Sequence, residues 1–571
     1  MQNLLERLRL KMATLDTLLL LSMLGIISGI VVGAVMIGFR QVIEISQSLF
    51  LPDGNVENYE GLASIWILAL PIIGGLLVGL LWQFLHTDTR KVGVVHVIER
   101  LSYHQGKLPW RNTVAQFIGA SLSIISGHSV GREGPGIHLG AGSSSLLGSW
   151  LELPNHRLRT LVACGVAAAI AASFNTPIAG VIFAMEVVLL EYSIAGFTPI
   201  ILSAVSATVV TRLAYGADPA FTVPALQMAS LAEMANVLLL GILCGAAGAA
   251  FIYLLKTFTG WFSDTAIWLR CTYAGIATGL IALLAPQIMG IGYDTVNQAL
   301  LGELGFGILL LIVAAKLLAT TFGLGMGLPG GLIGPTLVIG AALGGATGVL
   351  SQNMFSGDVA SAGFYAMLGM AAMMAATLQA PLAALLALLE LTGNVNIILP
   401  GMLAVVTATL MASEGFKCQS VFRMLLQIRG LDYRNDPLSQ SLRRIGITSV
   451  MNREFVRASQ IIDAKQSVEL LKNDPDWIVV EQDMKPVALL PAVDLARYSE
   501  ELEDATQSID LLEIPAKRLQ LAGVALQASL QEAVDTLQEN EVDALYVWRN
   551  SGPGTQRIFG IVTRQKIEAR L

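Results

Sequence analysis

Five consecutive residues, Gly131-Arg132-Glu133-Gly134-Pro135, bring charge, backbone freedom and a helix start together inside apolar sequence. A proline after a short polar turn starts a helix, because its ring pre-sets φ and it lacks the N–H that would be orphaned there. The free amides and the dipole of such a helix start attract anions. Glu133 can fill that site with its own carboxylate and so compete with a permeating anion, and protonation would remove the competitor. The plainer alternative is an acid that satisfies a helix dipole with Arg132 as its partner. In apolar, membrane-like sequence, however, a charged pair is a functional candidate by default. A second string, Gly327-Leu328-Pro329-Gly330-Gly331-Leu332-Ile333-Gly334-Pro335, repeats the glycine and proline punctuation without the charge.

Other chemistries find little support. The six histidines are scattered. His128 and His138 flank the first motif without a metal-ligand companion, so they read as vestibule or helix-packing residues, with His128 the candidate pH modulator. Cys164, Cys244, Cys271 and Cys418 lie far apart and suggest neither a disulfide framework nor a zinc site. No catalytic constellation, metal site, cofactor motif or nucleic-acid patch emerges. The net charge of −7 says little, because most of it can sit in a soluble tail.

The elements that must position these motifs lie in a bilayer. Of 571 residues, 54% are hydrophobic and only 13% charged, with a mean hydropathy of +0.65. A soluble chain of this size would need more polar surface. Thr17–Phe39 and Gly61–Leu85 carry no charge, and each is long enough to cross about 30 Å of hydrocarbon as a helix. Similar runs recur to about Glu414. The basic start (Arg7, Arg9, Lys11) precedes a run too long for a signal peptide and predicts a cytoplasmic N-terminus. Asp53, Glu57 and Glu60 then fall in an outer loop, and Arg90, Lys91, Lys107 and Arg111 in an inner one. Gly25, Gly29 and Gly33 predict close helix packing in lipid.

Helix punctuation at Gly134-Pro135, Pro177, Gly330-Gly331, Pro335 and Pro381 sits inside hydrophobic sequence. Broken segments at membrane depth are tolerated where they line a polar cavity, and their recurrence in both halves predicts an inverted repeat with a midplane site. Thr176-Pro177 through Glu186 and Ala380-Pro381 through Glu390 are two versions of one unit, a short proline-initiated helix ending in an acid.

The composition then changes. The reading is a membrane domain over 1–430, a polar linker over 431–445 and a soluble α/β tail over 446–571. The tail holds two units, about 446–500 and 510–571. Each runs helix, strand, strand, helix: 464–473, 477–481, 486–490 and 492–498, then 530–540, 544–548, 557–562 and a helix from Arg564.

These motifs resemble a known family. The string at 131–135 matches the signature of CLC chloride channels and transporters, in which its glutamate is the external gate. The string at 327–335 looks like the family's second anion motif, which implies anion coordination by the amides of Leu332 and Ile333. Asn175-Thr176-Pro177 with Glu186, and Leu389-Glu390-Leu391-Thr392-Gly393, fit the segments that follow. The tail resembles a tandem pair of CBS domains, with Gly560-Ile561-Val562-Thr563 as its best local match. The resemblance implies an all-α polytopic inverted repeat with broken helices, followed by the α/β pair. It also implies a multi-pass homodimer with one pore per subunit, a cytoplasmic tail, no cofactor, and chloride or a similar monovalent anion as substrate. Compact loops favour a bacterial inner membrane.

Departures from the family pattern sharpen the expectation. The first anion motif, which supplies a serine hydroxyl, falls on Lys91-Val92-Gly93-Val94-Val95, so coordination there passes to the amides of Gly93 and Val94. The tyrosine that touches the central anion falls on Phe422. Arg132 and Gly134 complete the expected anion-binding set. The internal glutamate of proton-coupled members falls on Val187, next to Glu186. A neutral aliphatic there resembles the passive channels. Glu186 remains a candidate proton relay, with a buried helix-interface acid as the simpler role. The expected mode is a passive channel, voltage- or pH-gated, with a proton-coupled antiporter as the alternative. In the tail, the Ser/Thr-then-Asp pair that holds an adenine nucleotide is incomplete, since Thr563 is followed by Lys566 and Asp494 preceded by Pro491. Dimerisation is therefore the expected role rather than nucleotide sensing.

Overall fold

In the computed structural model, residues 18–191, 194–217, 221, 228–354, 359–431, 437–500, 508–552 and 555–569 are described. Arg7, Arg9 and Lys11 lie outside them. Two compact units form: Leu18–Ser149 with Arg159–Tyr433, and Trp150–Leu158 with Arg434–Leu571.

The first unit is helical. Its first half comprises α1 (Leu18–Ser48), α2 (Ser64–Phe84), α3 (Gly93–Tyr103), α4 (Trp110–Ile125), α5 (Glu133–Trp150), α6 (Asn155–Phe174), α7 (Pro177–Phe183) and α8 (Ile194–Tyr215). The second half repeats that order with α9 (Met234–Trp261), α10 (Ile267–Ala282), α11 (Tyr293–Leu301), α12 (Phe306–Gly325), α13 (Ile333–Met354), α14 (Ala362–Leu378), α15 (Pro381–Thr392) and α16 (Ile398–Leu410). A short helix, α17 (Val421–Ile428), follows. Eight helices among the described residues are long and apolar enough to cross a membrane. Exposed Leu19, Ile45, Leu213, Leu280 and Leu284 give them an apolar outer surface, as lipid contact requires.

Small residues let the helices close up. A Cβ on Gly25 or Gly29 would lie 2.5 Å or 2.2 Å from the carbonyl oxygens of Pro199 and Ser203 on α8. The expected tight packing at these two glycines is therefore met, and with backbone rather than side chain. α14 is buried along its whole length, and α6 and α13 nearly so. Between residues 133 and 142, at the start of α5, every residue is buried.

The second unit is α/β. Helix α18 (Pro437–Arg444) comes first, followed by strands β1 (Phe455–Ser459) and β2 (Ile461–Asp463). The rest of the first repeat is α19 (Ala464–Leu471), β3 (Trp477–Gln482), β4 (Lys485–Pro491) and α20 (Ala492–Glu500). After β5 (Ser508–Asp510) come β6 (Leu519–Ala525), α21 (Leu530–Glu539), β7 (Ala544–Gly552), β8 (Thr555–Thr563) and α22 (Arg564–Glu568). The main sheet has the order β1-β3-β4-β6-β7-β8. β1 runs parallel to β3 and β6 parallel to β7, while β3–β4 and β7–β8 are antiparallel.

Each repeat opens its first helix with the same device. Asp463 and Ser529 cap α19 and α21, with Gln466 and Glu532 closing reciprocal capping boxes. Part of the expected linker is structured: Leu442 of α18 is buried in the core that also holds Leu530, Leu537, Val547 and Val562. Strands β1 and β6 lie ahead of the helices with which the sequence reading began its repeats.

Candidate functional site

The two glycine-rich motifs meet backbone to backbone. Gly131 N–H donates to Gly331 O and Gly331 N–H donates to Gly131 O, both at 2.7 Å. A Cβ on Gly331 would lie 2.7 Å from the Gly134 amide nitrogen, so this approach requires glycine. α5 and α13 thus start side by side, with Glu133 and Ile333 at corresponding places.

Glu133 is fully buried. Its Oε2 accepts the Gly334 amide of the opposite helix start at 3.1 Å. Its Oε1 accepts the Tyr293 hydroxyl. Arg132 is not its hydrogen-bonding partner: the guanidinium lies 5.1 Å from the Tyr293 ring centroid and donates to Ser173 O at 3.5 Å. The plainer expectation of an Arg132–Glu133 pair is thereby replaced, because the carboxylate reaches amide and hydroxyl donors on the second half.

Tyr293 is held in turn. It opens α11 after Gly292, whose φ of +84° suits glycine. Its amide donates to Glu57 Oε2 at 3.0 Å. The fully buried Lys316 of α12 donates to the carbonyls of Ile288, Gly290 and Ile291 at 2.9, 3.1 and 3.3 Å, which ties down the loop that presents Tyr293.

A cavity of about 260 Å³ adjoins the helix starts, and Val92, Gly93, Val94, Gly134, Leu332, Ile333 and Phe422 all line it. Of the expected anion-binding residues only Arg132 is not among its walls. Val92 caps α3 without a side-chain hydrogen bond, and Gly93 follows with φ +81°. Arg90, Arg270 and Arg429 also line the cavity and make it cationic. Arg270 donates to Gly325 O at 3.0 Å, and Arg429 pairs with Glu99 at 3.3 Å.

Glu186 and Val187 lie in a π-helical turn, Ala184–Leu189, that extends α7. Both Glu186 oxygens are engaged, accepting Leu382 N at 3.2 Å and Ala383 N at 2.7 Å. Val187 is buried. A small cavity near α7 is walled by apolar side chains, Thr176 excepted, and shares Ile333 with the larger one.

Of the two readings of His128 and His138, vestibule or helix packing, the structure supports helix packing. His128 and His138 are both fully buried and neither lines the cavity. His138 Nε2 shares a 3.0 Å hydrogen bond with His96 Nδ1, which makes it a packing residue. Sequence reasoning missed Tyr293, Glu57 and Lys316. Lys316 was the findable one, as the single charge in the apolar run of α12.

With this geometry in place, likeness to known proteins can be stated. A family model described as voltage gated chloride channel matches residues 74–413. The chain belongs to that family. It is 32% identical over 329 residues to the H(+)/Cl(−) exchange transporter ClcA of Vibrio cholerae, covering 55% of this chain and 70% of that one. It is 29% identical over 414 residues to the voltage-gated ClC-type chloride channel ClcB of Citrobacter koseri, covering 71% and 98%. A crystal structure of a eukaryotic CLC transporter superposes with a TM-score of 0.61 at 19% identity, covering 99% of this chain and 98% of that one. The last likeness concerns the fold alone. The chain is thus an integral, multi-pass member of an anion-transport family.

Proposed function

We propose that this chain moves chloride, or a similar monovalent anion, through a pathway gated by Glu133, without coupling to protons. The observation that carries the gate is the Glu133 carboxylate seated on the Gly334 amide, at the helix start where an anion would bind. Occupied by its own carboxylate, that position is closed to other anions; protonated or swung aside, it is free. Gly93, Val94, Leu332 and Ile333, which line one cavity with Gly134 and Phe422, supply the backbone amides of the binding path. Arg132 acts by orienting Tyr293 rather than by touching the anion.

Two features support the uncoupled mode. Val187 offers no titratable group, and both oxygens of Glu186 are committed to backbone amides of α15. Proton-coupled exchange is the second reading. It draws on the 32% identity to a protein named as an H(+)/Cl(−) exchanger and on an intact Glu133. The α/β unit serves as a CBS-type dimerisation platform, with adenine nucleotide binding disfavoured because Asp494 already accepts the Lys517 amide at 3.3 Å. A homodimer in a bacterial inner membrane, with a cytoplasmic N-terminus and tail, completes the reading.

Reversal potentials of purified protein in liposomes test it. Under a chloride gradient with a pH gradient imposed, a potential that follows chloride alone supports the channel. A displacement by the proton gradient in a fixed ratio establishes exchange, and an absence of anion flux under any gradient removes the transport reading for this chain.

A further inference from the structure

Val92 and Phe422, which stand where the family resemblance implies hydroxyl side chains, both line the cavity. Backbone amides and the cavity arginines would then replace the water an anion sheds on entry. One polar side chain in the cavity wall is, however, unassigned. Gln116 of α4 lines the cavity, is 1% exposed, and has no hydrogen-bonding partner at Nε2 or Oε1. A buried carboxamide with neither end satisfied is costly, and such a group in a native fold calls for a reason.

Its position supplies one. Gln116 and Gly119 are three residues apart and so share one face of α4. A Cβ on Gly119 would lie 2.7 Å from Trp82 Cη2 and 2.9 Å from Pro329 Cγ. Trp82 and Pro329 are themselves cavity walls. That face of α4 is therefore pressed against the cavity, and the carboxamide has little else to address.

We propose that Gln116 is a specificity-determining residue of the anion path, donating Nε2–H to the dehydrated anion in place of the absent hydroxyls. This rests on the anion-transport reading above. A carboxamide is a neutral donor. It compensates the lost hydration of a monovalent anion without adding to the positive charge that Arg90, Arg270 and Arg429 already bring to the cavity wall. The cavity then offers a neutral side-chain donor beside those arginines, in a wall that also holds Val92 and Phe422.

The test uses the full chain, with chloride and nitrate as probes, read as calorimetric affinity in detergent and as relative flux in liposomes. Gln116→Leu removes the donor at similar volume and should weaken chloride binding roughly tenfold, as loss of a hydrogen bond to a charged group does. It should also lower chloride flux relative to nitrate. Val92→Ser added to Gln116→Leu should restore part of the chloride affinity from another point of the cavity wall, a rescue that a purely structural role would not produce. If Gln116→Leu fails to fold, the near-isosteric Gln116→Glu carries the test, since a carboxylate facing the anion should depress binding further and recover at acid pH. Wild-type affinity and selectivity in the folded variants would overturn the proposal. A wild-type chain that binds and moves neither anion would instead overturn the transport reading, and this inference with it.

Discussion

Glu186 and Glu390 cap each other's helices. Glu186, past the end of α7, accepts Leu382 N and Ala383 N at the start of α15 at 3.2 and 2.7 Å. Glu390, near the end of α15, accepts Ile178 N and Ala179 N at the start of α7 at 2.9 and 2.7 Å. Each acid satisfies amides that the proline-initiated partner leaves orphaned. The relationship is a two-fold exchange between the halves, and it gives Glu186 a structural occupation that a proton relay would have to vacate.

Glu186→Ala and Glu390→Ala should therefore behave alike. Each should cost about 1 kcal/mol, in the range of a lost helix cap, visible as a fall of a few degrees in the thermal midpoint in detergent. Neither should change the ratio of proton to anion movement. A change in that ratio for Glu186→Ala alone would return Glu186 to the proton path.

Removing the seated carboxylate should open the path. For Glu133→Ala we expect anion flux in liposomes to rise several-fold at neutral pH and to lose its dependence on pH. Unchanged flux with unchanged pH response would show that the Gly334 amide is not where the gate acts.

Tyr293→Phe probes the latch on that gate. The hydroxyl donates to a carboxylate, a charge-assisted contact of about 1.5–3 kcal/mol. Its loss should reduce the seated population of Glu133 and raise flux at neutral pH, by less than Glu133→Ala does. Equal flux in wild type and variant would confine Tyr293 to packing.

Glu57 should set a pH dependence of stability. Burial, with the nearby Asp294 carboxylate, pushes its carboxyl up to about 7, against the opposing pull of Arg132, the Tyr293 amide and Lys316. A raised native value means that the folded state holds the proton more tightly. The contribution is therefore full below about pH 4.5 and lost as the pH rises through about 7. The thermal midpoint should fall between about pH 5 and about pH 8, and Glu57→Gln should flatten that slope. An identical slope in the variant would assign it to other groups.

Much of this was legible in the sequence because it is written in local punctuation. Gly134-Pro135 and Gly334-Pro335 announce helix starts, and the paired units ending in Glu186 and Glu390 announce the repeat. In the tail, strand and helix periodicity placed α19, β3, β4 and α20 within a few residues. What stayed hidden depends on contacts across long stretches of chain. Nothing near Tyr293 says that its hydroxyl will reach a carboxylate 160 positions earlier. Gln116 reads as one polar residue on a membrane helix until the cavity beside it is seen. Leu442 looked like linker because its partners, from Leu530 to Val562, come a hundred residues later.

The paired Gly131–Gly331 hydrogen bonds carry a consequence for how opening occurs. They rivet the two helix starts together beside Glu133, so the starts of α5 and α13 cannot part without breaking a two-rung ladder. On the gating proposed for Glu133, its release would be a turn of one side chain about its own bonds against a stationary frame. The opening step on that proposal is set by the strength of two hydrogen bonds to one carboxylate rather than by the repacking of a fold.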